Sequence, residues 1–198
     1  TGSEVNPFAV ITFTATQRKL VLNHPSLQPR CAVLDPTLLG AAPREVRMAA
    51  GMDALTHAIE SFVNKNATEQ TRSRAAEAIR AISGHLRAAV ADADDLAAQA
   101  AMQRAALLAS LAFAKTRLGI VHAMALPLSA LFGVPHGIAN TVLLPHGMRF
   151  NLPAAADAYA RIAALMGHSP APQAAIEAVE ALAADVGAPR CMRELGVE

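Results

Sequence analysis

Apolar residues recur at helical spacing along most of the chain beyond residue 43. Over residues 43–63 they lie three or four positions apart, which places them on one face of a helix. Pro127 and Pro145 fall inside apolar runs and predict kinks or breaks, and Gly187 is placed to end the last helix. The same period predicts six further helical segments, at 68–91, 95–115, 119–133, 136–150, 154–166 and 171–186.

The first part of the chain has a different pattern. Residues 5–22 are rich in Val, Ile, Phe and Thr around a short polar break, which predicts a β-hairpin. The run CAVLDP, residues 31–36, predicts a third short strand that ends at Pro36. The chain is therefore expected to be mainly α, with a short β region before the helices. The edges of such a hairpin are normally paired or covered, so residues that precede Thr1 are expected to matter for its structure.

Composition narrows the class of protein. The 198 residues are 53% hydrophobic and 17% charged, with abundant alanine, which favours closely packed helices. Aromatic residues make up 4% and the formal charge is +1, so neither a base-stacking surface nor a polyanion-binding stripe is expected. We expect no nucleic-acid partner.

Three features of the sequence bear on the cellular location of the protein: membrane spans, a secretory signal and the cysteines. A stretch of about twenty uncharged apolar residues is not apparent, so no membrane contact is expected. The N-terminus does not have the pattern of a secretory signal. Cys31 and Cys191 are expected to be buried thiols in a reducing compartment, which predicts a cytoplasmic protein.

Residue types that bind metal ions occur at two places in the helical part. Asp53 and His57 are four positions apart, so on a helix both side chains project from the same face. His122 follows Gly119 by three positions, and His136 lies between a proline and a glycine. Breaks of this kind put side chains at helix ends, facing a cleft. One carboxylate and three imidazoles suit a divalent transition metal and redox-neutral Lewis-acid chemistry.

Each of these residues has a simpler interpretation when it is considered alone. An aspartate and a histidine four positions apart often form an intrahelical hydrogen bond. A single histidine beside an apolar helix is more often a core residue than a metal ligand. Considered one at a time, all four would be assigned structural roles.

The strings that surround the four residues change that assignment. TGSEV, LDP, GMDALTHAIE, GIVHAMALPL, VPHGIAN and LLPHGMRFN occur in this order and span nearly the whole chain. Together they resemble the iron-containing, or group III, alcohol dehydrogenase family, whose helical metal-binding domain belongs to the dehydroquinate synthase-like fold. The resemblance implies that Fe²⁺, or Zn²⁺ in some members, is held by Asp53, His57, His122 and His136.

The resemblance also implies an activity and a second cofactor. The metal polarises the oxygen of a small alcohol or aldehyde while a hydride passes to or from NAD(P), so no catalytic side chain is implied beyond the metal ligands. Thr1, Gly2, Val10 and Lys19 match positions near the nicotinamide cofactor. The family further implies a homodimer.

Two departures from the family pattern affect this expectation. Where many members carry a histidine four residues after the third ligand, this chain has Leu126, which cannot carry a proton. The glycine-rich GGGS-type pyrophosphate loop is not found in this sequence. We therefore expect residues 1–40 to be the closing strands of an incomplete nucleotide-binding domain and residues 41–198 to be the helical metal-binding domain, active as part of a longer polypeptide.

Other functions remain open on the sequence alone. A truncated, non-catalytic metal-binding or subunit-interaction module would also lack the nucleotide loop. A maleylacetate reductase-like oxidoreductase would share the fold, although such enzymes tend to have two adjacent histidines where this chain has Val121 and His122. A metal-dependent hydrolase would need a general base, for which Glu60 is the candidate.

Overall fold

Six helices and one hairpin are the main elements of the computed structural model, which describes residues 1–197. The hairpin consists of β1 (Phe8–Phe13) and β2 (Arg18–Asn23). The helices follow in the order α1 (Arg44–Val63), α2 (Glu69–Ala91), α3 (Leu96–Thr116), α4 (Ile120–Phe132), α5 (His136–Leu165) and α6 (Pro172–Asp185). The expected mainly α fold with a short β region is confirmed.

The hairpin forms as predicted, but the third strand does not. β1 and β2 are antiparallel, with Val10 opposite Val21. Residues 31–35 have no regular secondary structure, and a 3-10 turn follows at Pro36–Ala41. The prediction of a strand at 31–36 is wrong because the Asp35 carboxylate accepts hydrogen bonds from the Thr37 backbone N–H and hydroxyl, which starts a turn instead.

The helical segments are confirmed, but α4 is unbroken at Pro127, and the fifth segment also differs from the prediction. Residues 136–150 and 154–166 were expected as separate helices, whereas α5 runs through both of them. The backbone leaves helical geometry at Ala155 (φ −140°, ψ 28°), two residues after Pro153, rather than near Pro145. Proline removes one helical hydrogen bond, and packing of α5 against α1 and α6 keeps the element together. Gly187, at φ 78°, follows the end of α6 as predicted.

The core is centred on α1, which packs against α2, α3 and α5. α2 and α3 both carry alanines with no exposed surface, and such small side chains allow these two packed helices to approach closely. Larger side chains from α1, α2, α5 and α6 complete the core. Among the most deeply buried are Met52, Leu55, Ile59, Phe62, Ile79, Leu86, Tyr159, Ile162 and Ile176.

Two expectations about cellular location bear on the fold. α3 is long and apolar enough to cross a membrane by length and composition, but it carries Arg104 and Lys115 and so is not a stretch of twenty uncharged residues. In the fold it packs against α1 and α2, and its Arg104 pairs with Glu77 on α2, which is typical of a core helix with one solvated face. Cys31 and Cys191 are exposed, so the prediction of buried thiols is wrong.

Candidate metal centre

Three helices bring the four predicted ligands to one place. α1 presents Asp53 and His57 one turn apart, and His122 lies in the first turn of α4. His136 is the first residue of α5. Gly137 lets that end of α5 approach α1, because a Cβ atom there would lie 2.5 Å from the backbone oxygen of Ala49. The close contact between α1 and α5 thus brings His136 near Asp53, from which it is far away in the sequence.

The Asp53 carboxylate is the common neighbour of the three imidazoles. Its Oδ1 atom lies 3.5 Å from Nε2 of His122, 3.8 Å from Nε2 of His57 and 3.9 Å from Nε2 of His136. Ligand atoms of Asp53, His122 and His136 all lie within 4.8 Å of one another and could hold a metal ion. His57 borders this group. The structure therefore brings together three of the predicted ligands and places the fourth beside them.

Packing holds three of these side chains rigidly. Asp53, His57 and His122 are 4%, 5% and 7% exposed, whereas the His136 side chain is 36% exposed. The His57 ring stacks on His122, with 4.6 Å between centroids, and lies 4.5 Å from the ring of Phe113. One side of the site is therefore closed by protein, and His136 forms its open rim.

Burial and neighbouring charges move the pKa of each group. Burial raises the pKa of the Asp53 carboxyl, but the histidines around it outweigh burial and hold that pKa below its ordinary value. Burial lowers the pKa of His57 to about 3 and also lowers that of His136. For His122 burial is outweighed by hydrogen bonds to Asp53 and Glu60, which raise its pKa to about 9.

The chemistry of this donor set fits a divalent cation. One anionic oxygen is surrounded by three imidazoles, and burial lowers the pKa of two of them, His57 and His136, which favours the neutral form that binds a metal ion. The two carboxylates that raise the pKa of His122 would also attract a cation, and a metal ion at Nε2 would take the place of the hydrogen there. Nδ1 of His57 and Nδ1 of His136 are buried without a hydrogen-bond partner among residues 1–197.

Sequence reasoning missed the contact that Glu60 makes with the site. Its carboxylate accepts a hydrogen bond from Nδ1 of His122 at 2.7 Å, on the side of the ring that faces away from Asp53. It also accepts from the backbone N–H groups of Gly119 at 3.0 Å and Val121 at 2.8 Å. The position was considered only as a general base. Its seven-residue spacing from Asp53 on α1 was the available signal.

Asn140 was also missed. Its Nδ2 donates to Oδ1 of Asp53 at 2.6 Å and lies 3.0 Å from Nε2 of His122 and 3.2 Å from Nε2 of His136. All three ligand atoms therefore point towards one small volume beside this amide. Asn140 follows His136 by four positions on α5, and that helical spacing could have identified it.

A cavity of about 650 Å³ opens over the ligands. Its wall is mostly apolar and is shared between the helices and the hairpin, with Phe113 and Leu126 on one side and Phe8, Val10 and Val21 on the other. Such a volume with a few convergent polar groups is typical of a small-molecule site. The predicted apolar character at Leu126 agrees with the lining of this cavity.

The four residues predicted to contact a cofactor do not all face this cavity. Thr1 and Val10 line it. Gly2 is buried below, where its carbonyl accepts from Ser110 Oγ, and Lys19 lines a separate groove beside α4. Cofactor contacts at these four positions remain a prediction.

Arg117 has a strained backbone at the edge of the cavity. Its φ of 68° and ψ of −178° lie in a region that glycine usually occupies. The guanidinium lies 4.9 Å over the ring of Phe8, which stacks on Phe113. This cation–π contact joins the loop before α4 to the hairpin.

The curated relatives of this chain are bacterial alcohol and aldehyde oxidoreductases. It is 43% identical over 205 residues to a 1,3-propanediol dehydrogenase of Citrobacter freundii, an alignment that covers 100% of this chain and 53% of that protein. It is 39% identical over 204 residues to the lactaldehyde reductase of Escherichia coli (strain K12), again covering 100% and 53%. The chain thus spans about half the length of the curated relatives it matches.

Solved structures share the fold. A 1,3-propanediol oxidoreductase superimposes with a TM-score of 0.95 at 43% identity, over 100% of this chain and 54% of that one. The sulfoacetaldehyde reductase of Bifidobacterium kashiwanohense, solved in complex with NAD⁺, gives a TM-score of 0.90 at 29% identity, over 100% and 52%. Residues 47–198 match the family described as Fe-containing alcohol dehydrogenase, C-terminal. The resemblance found in the sequence is confirmed, and the chain belongs to the Fe-containing alcohol dehydrogenase family.

Proposed function

We propose that the polypeptide containing this chain is a metal-dependent, NAD(P)-linked alcohol dehydrogenase that interconverts a small alcohol and its aldehyde. The observation that carries this proposal is the convergence of Asp53, His122 and His136, with His57 beside them, at the wall of a mostly apolar cavity. The relatives named as alcohol dehydrogenase and aldehyde reductase support the reaction, and the neighbour solved with NAD⁺ supports the cofactor.

Asp53, His57, His122 and His136 would hold the metal ion in this proposal. Bound there, Fe²⁺ or Zn²⁺ supplies Lewis-acid polarisation of the substrate oxygen. The protein's contribution is to keep three of the four side chains buried and to leave His136 at the open rim, so that substrate can approach from the cavity.

The apolar wall of the cavity would contact the carbon part of the substrate in this proposal. Phe8, Phe113 and Leu126 present apolar surface next to the ligands, which excludes water and favours the carbon part of a small alcohol or aldehyde. Because Leu126 cannot relay a proton, we propose that the proton leaves through water or a cofactor hydroxyl group. Thr1, Gly2, Val10 and Lys19 are proposed cofactor contacts, and a cytoplasmic homodimer is the proposed assembly.

The structure disfavours the hydrolase alternative. A general base must reach water, whereas the Glu60 carboxylate is 4% exposed and accepts from Gly119, Val121 and His122. Glu60 is therefore enclosed by the protein and does not line the cavity.

Metal content and turnover test the proposed function together. The full-length polypeptide should contain about one Fe²⁺ or Zn²⁺ per chain, measured by elemental analysis, and should oxidise small primary alcohols with NAD⁺ or NADP⁺. His122→Ala should lose both, because it removes a buried ligand. His85→Ala, at an exposed histidine on α2, should retain both. Unchanged metal content in His122→Ala contradicts the site, and a metal-loaded protein without NAD(P)-linked turnover contradicts the reaction.

A further inference from the structure

Glu60 belongs to the same face of α1 as the metal ligands. Asp53, His57 and Glu60 lie at positions i, i+4 and i+7. One helix therefore supplies two predicted metal ligands and, one turn further along the same face, the carboxylate of Glu60. At 4% exposure the carboxylate is as buried as Asp53. A buried carboxylate is costly unless its oxygens accept hydrogen bonds, and here three donors reach it.

His122 is held from both ring nitrogens. Its Nδ1 lies 2.7 Å from Oε2 of Glu60, while its Nε2 faces Oδ1 of Asp53 at 3.5 Å. A carboxylate at Nδ1 keeps a hydrogen on that nitrogen, so Nε2 is the nitrogen that gives up its hydrogen when a metal ion binds. Nδ1 of His57 and of His136 has no such partner within the described part of the chain. His122 is thus the histidine whose tautomer the protein fixes.

The loop before α4 is built around the same carboxylate. The N–H groups of Gly119 and Val121 lie at the N-terminus of α4 and point at Glu60, where an anion is favoured by the helix dipole. A Cβ atom at Gly119 would lie 2.7 Å from Oε1 of Glu60, so this position leaves no room for a side chain. Glu60 therefore fixes where α4 starts and where His122 stands relative to α1.

We propose that Glu60 is a positioning residue that fixes the orientation and tautomer of His122 and thereby sets the affinity of the centre for its metal ion. The metal part of this inference rests on the proposed function. The orienting part rests on the three hydrogen bonds alone.

Glu60→Gln tests the proposal with almost no change in volume. Either orientation of the new amide sets its NH₂ group against a donor. At the Oε2 position it would face both Gly119 and His122, and at the Oε1 position it would face the N–H of Val121. The hold on His122 is weakened in both cases, either because its hydrogen moves to Nε2 or because the amide shifts away from the N-terminus of α4. In the full-length protein we expect Co²⁺ and Zn²⁺ affinity to fall about 10- to 100-fold, measured by chelator competition. The visible spectrum of bound Co²⁺ should also change.

Glu180→Gln is the matched control, because Glu180 is an exposed carboxylate that pairs with Arg149 on the surface. It should leave metal affinity unchanged. Gly119→Ala is a second variant, since its Cβ atom displaces the Glu60 carboxylate without removing the charge. Gly119→Ala should weaken metal binding, as Glu60→Gln does. It therefore tests the proposal even if Glu60→Gln does not fold.

Long-range ¹H–¹⁵N spectra of the metal-free protein separate this proposal from the proposed function. In the wild type, Nδ1 of His122 should carry a hydrogen-bonded proton, and this signal should shift or be lost in Glu60→Gln. If the wild type binds no metal, the proposed function fails and the spectra alone decide the role of Glu60. Metal affinity within about twofold of wild type in a folded Glu60→Gln or Gly119→Ala, or an unchanged His122 signal, overturns the proposal.

Discussion

Residues of the same type are buried in the helical body, α1 to α6, and exposed in the hairpin of β1 and β2. Ile59 on α1 is 1% exposed, whereas Ile11 on β1 is 44% exposed. Helices α2, α3 and α5 surround α1, but each hairpin strand has only one neighbouring strand among residues 1–197. An apolar side chain therefore stabilises the fold according to what packs against it, and apolar character alone does not say how much.

This contrast extends to the candidate centre. Asp53, His57 and His122 come from the body and are held by buried contacts. Phe8 and Val10 come from the hairpin and form only part of the cavity wall. In this chain, positions in the body should consequently tolerate change poorly, and the exposed positions of the hairpin should tolerate it well.

Two phenylalanines give the largest expected difference between the regions. Phe62→Ala should lower the free energy of unfolding by about 3–5 kcal/mol, because Phe62 is 1% exposed in the core. Phe13→Ala should lower it by less than about 1 kcal/mol, because Phe13 is 48% exposed on β1. Urea denaturation of this chain and of its two variants measures both changes in the free energy of unfolding. Equal losses would mean that the hairpin is packed as tightly as the body.

Two glycines sharpen the comparison within the body. Gly51→Ala should cost about 1–3 kcal/mol, because its Cβ atom would run into the side chain of Leu86 and lie 3.1 Å from Cε of Met102. Gly84→Ala should stabilise α2 by about 0.5–1 kcal/mol, since nothing lies within 4 Å of its Cβ position. Thermal unfolding of the two variants should therefore shift in opposite directions. If Gly51→Ala stabilised the protein, α1 would have more room beside Leu86 and Met102 than the structure shows.

Arg117 lies where the two regions meet and gives the smallest expected effect. Arg117→Gly and Arg117→Ala both lose the guanidinium contact with Phe8, but only glycine relieves the backbone at φ 68°. Arg117→Gly should be more stable than Arg117→Ala by about 1 kcal/mol. The midpoints of urea unfolding measure the difference, and equal stability would mean that the loop carries no strain.

Much of the fold follows from local pattern. Helical periodicity located all six helices, and Gly187 marks the end of α6. The strand expected at 31–36 failed because strand propensity needs a neighbouring strand, and a turn capped by Asp35 is the alternative. The break in α5 fell at Ala155 instead of Pro145, because packing decides which proline distorts a helix.

The candidate ligands were visible in the sequence, but their supports were not. The four-residue spacing of Asp53 and His57 identifies them as a candidate pair of ligands. His122 and His136 were added because the sequences around them resemble those of the Fe-containing alcohol dehydrogenase family. Glu60 and Asn140 look ordinary in the chain, since a glutamate or an asparagine on a helix is common. Their significance comes from contacts with residues about 60 to 90 positions away, such as the Asn140 hydrogen bond to Asp53 across 87 positions.

The sequence by itself determined which segments are helical and which residue types are available for a metal, because both depend on periodicity and side-chain chemistry. Only the tertiary structure decided that Asp53, His122 and His136 meet, that Glu60 holds His122, and that His136 is left at the rim. The reason is physical. Proximity between helices depends on close approaches such as that of Gly137 to Ala49, which no local pattern encodes.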